Sequence, residues 1–337
     1  MKFRILGAVL TLLTSVAPAI ALEKLTAVHA YPVTLAHTKS FLQFVELVNE
    51  QGRGIVEIEI RGGPEAMSVN QQPEALRAGV IDLLHTVASY YGGSVPEKDA
   101  MVASNITAVE ARQNGGLDLM NKIHQEKFNA YLLGWFDSGV AFNIWTKTKP
   151  SFDSSGNLDF SNIRLRGNSI YNAFFSDYLN AQVIDLPTGD VYSALERNVI
   201  NATGWTEIGL TELHWDDYLA YRIEPRFFST DITVLVNLDR WNSLSEDARK
   251  ILQGASLEHE KSSIANMQTL REEEFSQLKA SGMQIVSVNG EARINFLTAA
   301  RSKTWDRMRS LMRTQLGSDE NYDALISLFY DPAKDTP

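Results

Sequence analysis

The 337 residues include no cysteine. This absence excludes disulfide bonds, thiol catalysis and zinc sites built from thiolates. Common enzyme motifs are also missing: the sequence has no G-x-S-x-G, no H-E-x-x-H and no glycine-rich phosphate loop. Its six histidines are scattered and lack the spacing of metal ligands. We therefore predict no catalytic residue, no cofactor and no metal site.

Positive charge is scarce. The formal net charge is −10, and removal of Lys2 and Arg4 with the N-terminal segment discussed below lowers it to −12. An acidic chain without basic clusters is a poor partner for nucleic acid or for an anionic lipid surface. Any anionic ligand must therefore be attracted by individual arginines, against the overall charge of the protein.

Long apolar runs are confined to the N-terminus. Residues 1–21 combine two basic residues, an apolar stretch at 5–13 and an A-x-A sequence at 19–21. This is the pattern of a secretory signal peptide. The alternative is a membrane anchor, but the apolar stretch is shorter than the roughly 20 residues that a spanning helix needs. We predict that residues 1–21 are a cleaved signal peptide and that the mature protein is periplasmic.

The mature chain alternates short apolar strands with amphipathic helices, which is typical of an α/β fold. Strands are predicted at 25–29, 55–60, 80–84, 131–135, 141–145, 183–186, 199–201, 227–237 and 283–288. Helices are predicted at 37–50, 73–78, 117–128, 171–179, 244–280 and 292–316. The helix that begins after Ser245 is the longest of these, and no flexible linker interrupts the pattern.

Two segments repeat one pattern. LRAGVID at 76–82 and LERNVIN at 195–201 each combine a helix end, a Gly or Asn suited to positive φ, and an apolar strand. The repeat predicts two similar lobes that present the carboxyl ends of their strands to a shared cleft. We assign residues 22–141 plus 229–260 to lobe I and residues 142–228 plus 261–330 to lobe II.

Two arginines stand two residues apart, at Arg164 and Arg166, in a short strand-like run. Alternate residues of a strand point to the same side, so both guanidinium groups are expected to face one cavity. Trp205 follows the next strand. Basic groups at a strand end that face an aromatic ring suit an organic anion better than any bond-breaking chemistry.

The order of these segments resembles the DctP-type solute-binding proteins of TRAP (tripartite ATP-independent periplasmic) transporters. The resemblance rests on HAYP at 29–32, LRAGVID at 76–82, SYY at 89–91, IRL at 163–165, VYSAL at 191–195 and the segments at 234–237 and 241–252. It covers nearly the whole mature chain. It implies a bilobal periplasmic-binding-protein-like fold in which two α/β lobes are joined by β hinges and a long helix spans both.

The resemblance also implies site residues. It places the arginine that clamps a ligand carboxylate at Arg164, with a structural salt bridge as the alternative. Arg166 is either a second contact or a charge at the rim. Tyr31, Tyr90 and Asn237 are expected at the cleft, either touching the ligand or serving as packing and turn residues.

Two departures from relatives narrow the ligand. Phe142 stands where sialate-binding relatives have a second arginine, and Trp205 stands where many relatives have an amide. An indole ring there favours a monocarboxylate with an apolar or aromatic body, or a 2-oxo acid. In some relatives a cation bridges the ligand and the protein, and Glu207, Asp216 and Asp217 could hold such a cation here. The alternative is that these acids are solvated surface residues.

These observations predict a monomeric, non-enzymatic binding protein that closes by hinge motion on a small organic acid and delivers it to a TRAP permease. Presentation of the ligand to a membrane signalling receptor is an alternative that would use the same site. An exported hydrolase is a further alternative, but it lacks a supporting motif.

Overall fold

The computed structural model describes residues 22–335, so the predicted signal peptide lies outside the described residues. The chain forms two lobes, each built on its own sheet. The first sheet contains β1 (Glu23–His29), β2 (Val56–Gly62), β3 (Leu83–Thr86), β4 (Ala130–Trp135) and β12 (Thr233–Asn237). Its strand order is β2-β1-β3-β12-β4. Strands β1, β2 and β3 pair in parallel, whereas β12 runs antiparallel to both of its neighbours.

The second sheet contains six strands and belongs to the second lobe. They are β5 (Ala141–Thr146), β8 (Arg164–Gly167), β9 (Gln182–Asp185), β10 (Ala202–Thr206), β11 (Tyr221–Ser229) and β13 (Gln284–Ser287), in the order β13-β11-β5-β10-β8-β9. A separate small ribbon pairs β6 (Ser151–Phe152) with β7 (Leu158–Asp159). The strand that the sequence predicts at 199–201 begins at Ala202, because the preceding residues form the turn that leaves the helix.

Within residues 22–335, ten α-helices surround the sheets. They are α1 (Ala36–Gln51), α2 (Gln72–Arg77), α3 (Asp99–Val102), α4 (Ala108–Gln113), α5 (Gly116–Phe128), α6 (Val191–Glu196), α7 (Leu238–Ser243), α8 (Glu246–Ala280), α9 (Gly290–Leu311) and α10 (Tyr322–Phe329). Short 3₁₀ turns occur at Ala88–Tyr90, Pro96–Lys98, Thr188–Asp190, Trp215–Asp217 and Pro332–Asp335, and π-helical turns at Phe174–Tyr178 and Met312–Leu316.

Helix α1 shows how the pattern of apolar residues fixes the first lobe. Phe41, Phe44, Val45 and Val48 recur at helical spacing, and all four are buried, as the sequence predicts. They pack with residues of β1 and β2 in one apolar core. The sequence of this helix is therefore sufficient to orient it on the first sheet.

The 35-residue helix α8 joins both lobes, which confirms the predicted spanning helix. The Ser245 hydroxyl caps it by accepting a hydrogen bond from the Ala248 N–H at 3.2 Å. Its first half packs against α1 and β4 of the first lobe. In its second half, the buried Glu274 carboxylate accepts hydrogen bonds from Gly209 and Thr211 of the second lobe.

Besides helices α8 and α9, two adjacent extended segments of the described chain cross between the lobes. One crossing follows Trp135, and the other follows Ser229. The Phe136 N–H donates to the Ile232 carbonyl at 2.8 Å, and the Thr230 N–H donates to the Val140 carbonyl at 2.9 Å. These paired crossings support the predicted β hinges.

The proposed lobe boundaries remain a prediction, with one difference at the C-terminus. The sequence-based prediction assigns residues 261–330 to lobe II. Residues from Met308 to Phe329, however, pack with Leu76, Leu132 and Trp135 in a core of the first lobe. Helix α9 therefore returns the chain to the first sheet.

Candidate functional site

A pocket lies where the two lobes meet, and about 440 Å³ of space lies between its lining atoms, open solvent at its mouth included. The first lobe contributes Tyr31, His37, Val87, Ser89 and Tyr90, the second contributes Phe142, Arg166, Asn168, Tyr171, Thr188, Trp205 and Thr206, and one interlobe crossing contributes Thr230, Asp231 and Ile232. The pocket is thus assembled from both lobes and from one of the segments that join them.

Arg166 supplies the positive charge of the pocket. It lies near the carboxyl end of β8 and is 5% exposed. Its Nε donates to the Leu186 carbonyl at 2.9 Å, and its guanidinium lies 5.8 Å from the Trp205 ring. Among residues 22–335 its terminal nitrogens have no other hydrogen bond. A buried guanidinium held by one nitrogen keeps the paired donors that match a carboxylate.

Trp205 adds an aromatic ring to the pocket lining. It lies on β10, and Tyr31 contacts its ring edge-to-face with centroids 6.2 Å apart. Its indole Nε1 is buried and has no hydrogen-bond partner among the described residues. This nitrogen lies close to Gly209, a residue outside the pocket lining.

His37, at the start of α1, reaches the pocket from the first lobe. Its Nδ1 lies 2.8 Å from Oδ2 of the fully buried Asp137, which also accepts a hydrogen bond from the Ser40 hydroxyl. The carboxylate orients the ring with Nδ1–H as donor, so Nε2 is left toward the pocket. Nε2 is buried and unpaired within the described part of the chain.

Three tyrosines remain neutral in the pocket. Burial raises the pKa of Tyr31 well above its usual value, with a smaller contribution from Tyr90. Burial also raises the pKa values of Tyr90 and Tyr171. A neutral phenol donates a hydrogen bond, so these hydroxyls add no negative charge that would repel an anion.

The structure corrects the predicted role of Arg164. Its Nε donates to the Val199 carbonyl at 2.9 Å and its Nη2 donates to the Asn198 carbonyl at 2.8 Å. These partners belong to its own lobe, and Arg164 does not line the pocket. The carboxyl end of β8 faces the cleft, so Arg166, two residues further along, occupies the place expected for Arg164.

Asn237 is also displaced from its expected place. Its Oδ1 accepts the Arg240 N–H at 2.9 Å, which caps α7, and its Nδ2 donates to the Leu76 carbonyl at 2.9 Å. Because β12 is antiparallel to its neighbours, its beginning lies at the pocket and Asn237 ends it on the far side. Tyr31, Tyr90, Arg166 and Trp205 do line the pocket.

The acids considered for a cation are dispersed. Glu207 is buried and pairs with Arg222 and Arg226, each at 3.3 Å, so its charge is already compensated within the protein. Asp216 and Asp217 lie on a separate 3₁₀ turn. Residues 22–335 contain no group of three or more His, Asp or Glu side chains that could hold a metal ion.

The model of one protein family matches residues 28–310, which is most of the chain. That family is described as bacterial extracellular solute-binding protein, family 7. The chain belongs to this family. The family 7 assignment agrees with a pocket between two lobes.

Curated relatives of this family 7 chain are distant. The monocarboxylate 2-oxoacid-binding periplasmic protein of Nostoc sp. is 27% identical over 232 residues, which are 65% of this chain and 61% of that protein. The chain thus matches about three fifths of the length of that relative.

Solved structures of TRAP solute-binding proteins share the family 7 fold. A Bordetella pertussis extracytoplasmic solute receptor that binds pyroglutamic acid superposes with a TM-score of 0.76 at 15% identity, over 91% of this chain and 99% of that one. A Bordetella bronchiseptica TRAP solute-binding protein with calcium and picolinate has the same TM-score at 19% identity, over 91% and 92%. These likenesses establish the bilobal α/β fold.

Several lining residues of this family 7 protein were not predicted as site residues. His37 is one of six scattered histidines that lack the spacing of metal ligands, and Asp231 lies within the strand predicted at 227–237. The position of Asp231 at the pocket depends on the antiparallel direction of β12, which the sequence alone does not reveal.

None of the helices in residues 22–335 has the length and hydrophobicity of a membrane-spanning segment.

Proposed function

We propose that this protein captures a small monocarboxylate outside the cytoplasm and delivers it to a TRAP permease. Arg166 holds the carboxylate in this proposal. The observation that carries it is a buried guanidinium with free terminal nitrogens in a pocket shared by both lobes.

The chemistry of the pocket favours an anion with a flat or apolar body. Arg166 offers two parallel donors to a carboxylate, and lysine could not match this geometry. Phe142 and Tyr171 form an aromatic wall, with ring centroids 5.3 Å apart. Such walls suit the body of a small organic acid more than a polyhydroxylated sugar acid.

The names of similar proteins support a small acid. They include a 2-oxoacid-binding relative and structures with pyroglutamic acid or picolinate. All three ligand classes place one carboxylate on a compact body. An aromatic acid or a 2-oxo acid is therefore within the range of ligands that we propose.

Closure follows from the shared lining. A ligand that touches Tyr90 of the first lobe and Arg166 of the second makes its full set of contacts only when the lobes are together. Ligand therefore shifts the population toward the closed form, because it binds that form better. The closed monomer is the species that we propose a permease recognises, and the protein has no catalytic role.

Export follows from the N-terminal sequence. Residues 1–21 have the pattern of a signal peptide. We propose that they are cleaved and that the mature protein is periplasmic. Amino-terminal sequencing of the protein recovered from the periplasm would test this, with Leu22 as the expected first residue.

The direct test is to identify the natural ligand. The purified protein is unfolded to release bound acid, which is identified by mass spectrometry and titrated back by calorimetry. We expect one carboxylic acid that binds with 1:1 stoichiometry and is recovered unchanged after long incubation. Consumption of the acid would contradict the binding role, and recovery of a cationic or uncharged ligand would contradict the role of Arg166.

A further inference from the structure

Asp231 gives the pocket a second charged pole. Within the described part of the chain, the pocket lining contains one carboxylate, Asp231, and one guanidinium, Arg166. Oδ2 of Asp231 accepts hydrogen bonds from the Ala88 N–H at 2.5 Å and from Lys98 Nζ at 3.0 Å. No residue in 22–335 donates to Oδ1. The side chain as a whole is 4% exposed.

Lys98 fixes Asp231 in this position. It is fully buried, and its Nζ also donates to the Asp231 carbonyl at 2.7 Å and to the Thr233 hydroxyl at 2.9 Å. Asp231 therefore cannot swing toward Arg166, and the described residues contain no ion pair between the two. The charges of Arg166 and Asp231 both influence the pKa values of Tyr31, Tyr90 and Tyr171. All five residues line the same pocket.

A ligand with a carboxylate alone would satisfy only one pole. Its acceptor oxygens would pair with Arg166, but a ligand that fills the pocket would cover Asp231 Oδ1 without giving it a donor. A buried acceptor without a partner is costly, and more so when it is charged. A keto oxygen placed near Asp231 would add repulsion between lone pairs. A hydroxyl, lactam N–H or ammonium group would instead donate to Oδ1.

We propose that the ligand is a monocarboxylate that also carries an O–H or N–H donor, and that Asp231 selects it over the 2-oxo acid of the same skeleton. This inference rests on the proposed function and sharpens it. Arg166 determines that the ligand is an acid, and Asp231 determines which functional group accompanies the carboxylate.

Matched ligand pairs test the inference on the wild-type protein. The pairs are L-pyroglutamate with the lactone 5-oxotetrahydrofuran-2-carboxylate, L-lactate with pyruvate, and L-mandelate with phenylglyoxylate. Each pair exchanges a donor for an acceptor with little change in shape. Affinities are measured by calorimetry after removal of bound acid. We expect the donor member of any bound pair to bind about 10- to 100-fold more tightly.

The Asp231→Asn variant tests the residue itself. An amide can present either a donor or an acceptor, so the preference within a pair should shrink to about threefold or less. Asp319→Asn, which removes an acid far from the pocket beside Arg309, is the charge-matched control and should keep the wild-type preference. If Asp231→Asn fails to fold because Lys98 loses its partner, the double variant with Lys98→Met removes both buried charges and serves the same test.

The outcomes separate this inference from the proposed function. Equal affinities within a pair, or a preference for the acceptor member, overturn the selection by Asp231 while leaving a carboxylate site at Arg166 intact. Binding of none of the six acids also overturns it, because the compounds represent the class that it names. Loss of binding by both members in an Arg166→Ala variant confirms the acid site whatever the preference.

Discussion

Each lobe contains one copy of the same helix-to-strand junction, at 76–82 and at 195–201. In the first lobe Gly79 has a φ of 72°, and in the second Asn198 has a φ of 55°. In the first, the N–H groups of residues 80 and 81 both donate to the Ala75 carbonyl; in the second, those of residues 199 and 200 both donate to the Ala194 carbonyl. The two junctions therefore have the same backbone geometry despite different residues.

In each junction the last side chain accepts a hydrogen bond from a backbone N–H of a neighbouring strand. Asp82 accepts the N–H of Thr26 at 2.7 Å, and Asn201 accepts the N–H of Arg164 at 2.8 Å. Arg164 is thus the counterpart of Thr26, a residue inside the first lobe. Arg164 therefore belongs to the junction, whereas Arg166, nearer the carboxyl end of the strand, belongs to the pocket.

The largest expected effect separates the two arginines. Arg166→Ala should weaken binding of the co-purified acid by about 2–5 kcal/mol, because a desolvated carboxylate loses its partner. Arg164→Ala is the matched control and should leave affinity within about 0.5 kcal/mol, since its contacts lie outside the pocket. Calorimetric titration of both variants provides the measurement. An effect of Arg164→Ala equal to that of Arg166→Ala would break the comparison.

The next effect concerns the last side chain of each junction. Asp82→Ala and Asn201→Ala each remove the acceptor of a partly buried backbone N–H, so each should lower the free energy of unfolding by about 1–3 kcal/mol. Asp82 also accepts the Thr26 hydroxyl at 2.8 Å, so its loss should be the larger. Urea denaturation measures both. A neutral result for one variant would show that the junctions are alike only in backbone shape.

A smaller effect tests the positive-φ positions. Gly79→Ala should cost about 1–2 kcal/mol, because a β-carbon disfavours the left-handed conformation. Asn198→Gly should change stability by only about 0.5 kcal/mol, since glycine adopts this conformation freely and loses only the exposed contact from Lys147. Thermal unfolding compares the two. Equal destabilisation would indicate that side-chain contacts, and not φ, control the junctions.

The smallest effect concerns the Arg164 side chain. Arg164→Met keeps the aliphatic length but loses both hydrogen bonds to the carbonyls of residues 198 and 199. We expect a loss of about 1 kcal/mol in unfolding free energy, because these bonds are partly exposed to water. Affinity should not change. A decrease in affinity without a loss of stability would return Arg164 to the binding site.

Local sequence patterns predict most of the fold. The sequence predicts the apolar face of α1, the Ser245 cap of α8 and the two junctions, because short-range rules determine each of them. The choice between Arg164 and Arg166 was harder, because strand alternation places both on the same side. The rule that ligands bind at the carboxyl ends of parallel strands favours Arg166, and it is the signal that could have corrected the prediction.

Long-range packing explains the rest. The sequence predicts Asn237 at the cleft, but the structure places it at the opposite end of β12. The five residues of β12 do not by themselves determine the direction of the strand. Asp231 is held by Lys98, which is 133 residues away in the sequence. His37 is oriented by Asp137, 100 residues away. Only the tertiary structure brings such partners together, so no local sequence motif predicts them.

The crystal structure of the complex with the co-purified acid tests the central claim most directly. We predict that the ligand carboxylate lies about 3 Å from the terminal nitrogens of Arg166, while Arg164 keeps its hydrogen bonds to the carbonyls of residues 198 and 199. A carboxylate bound to Arg164, or a ligand bound outside the interlobe pocket, would contradict the account.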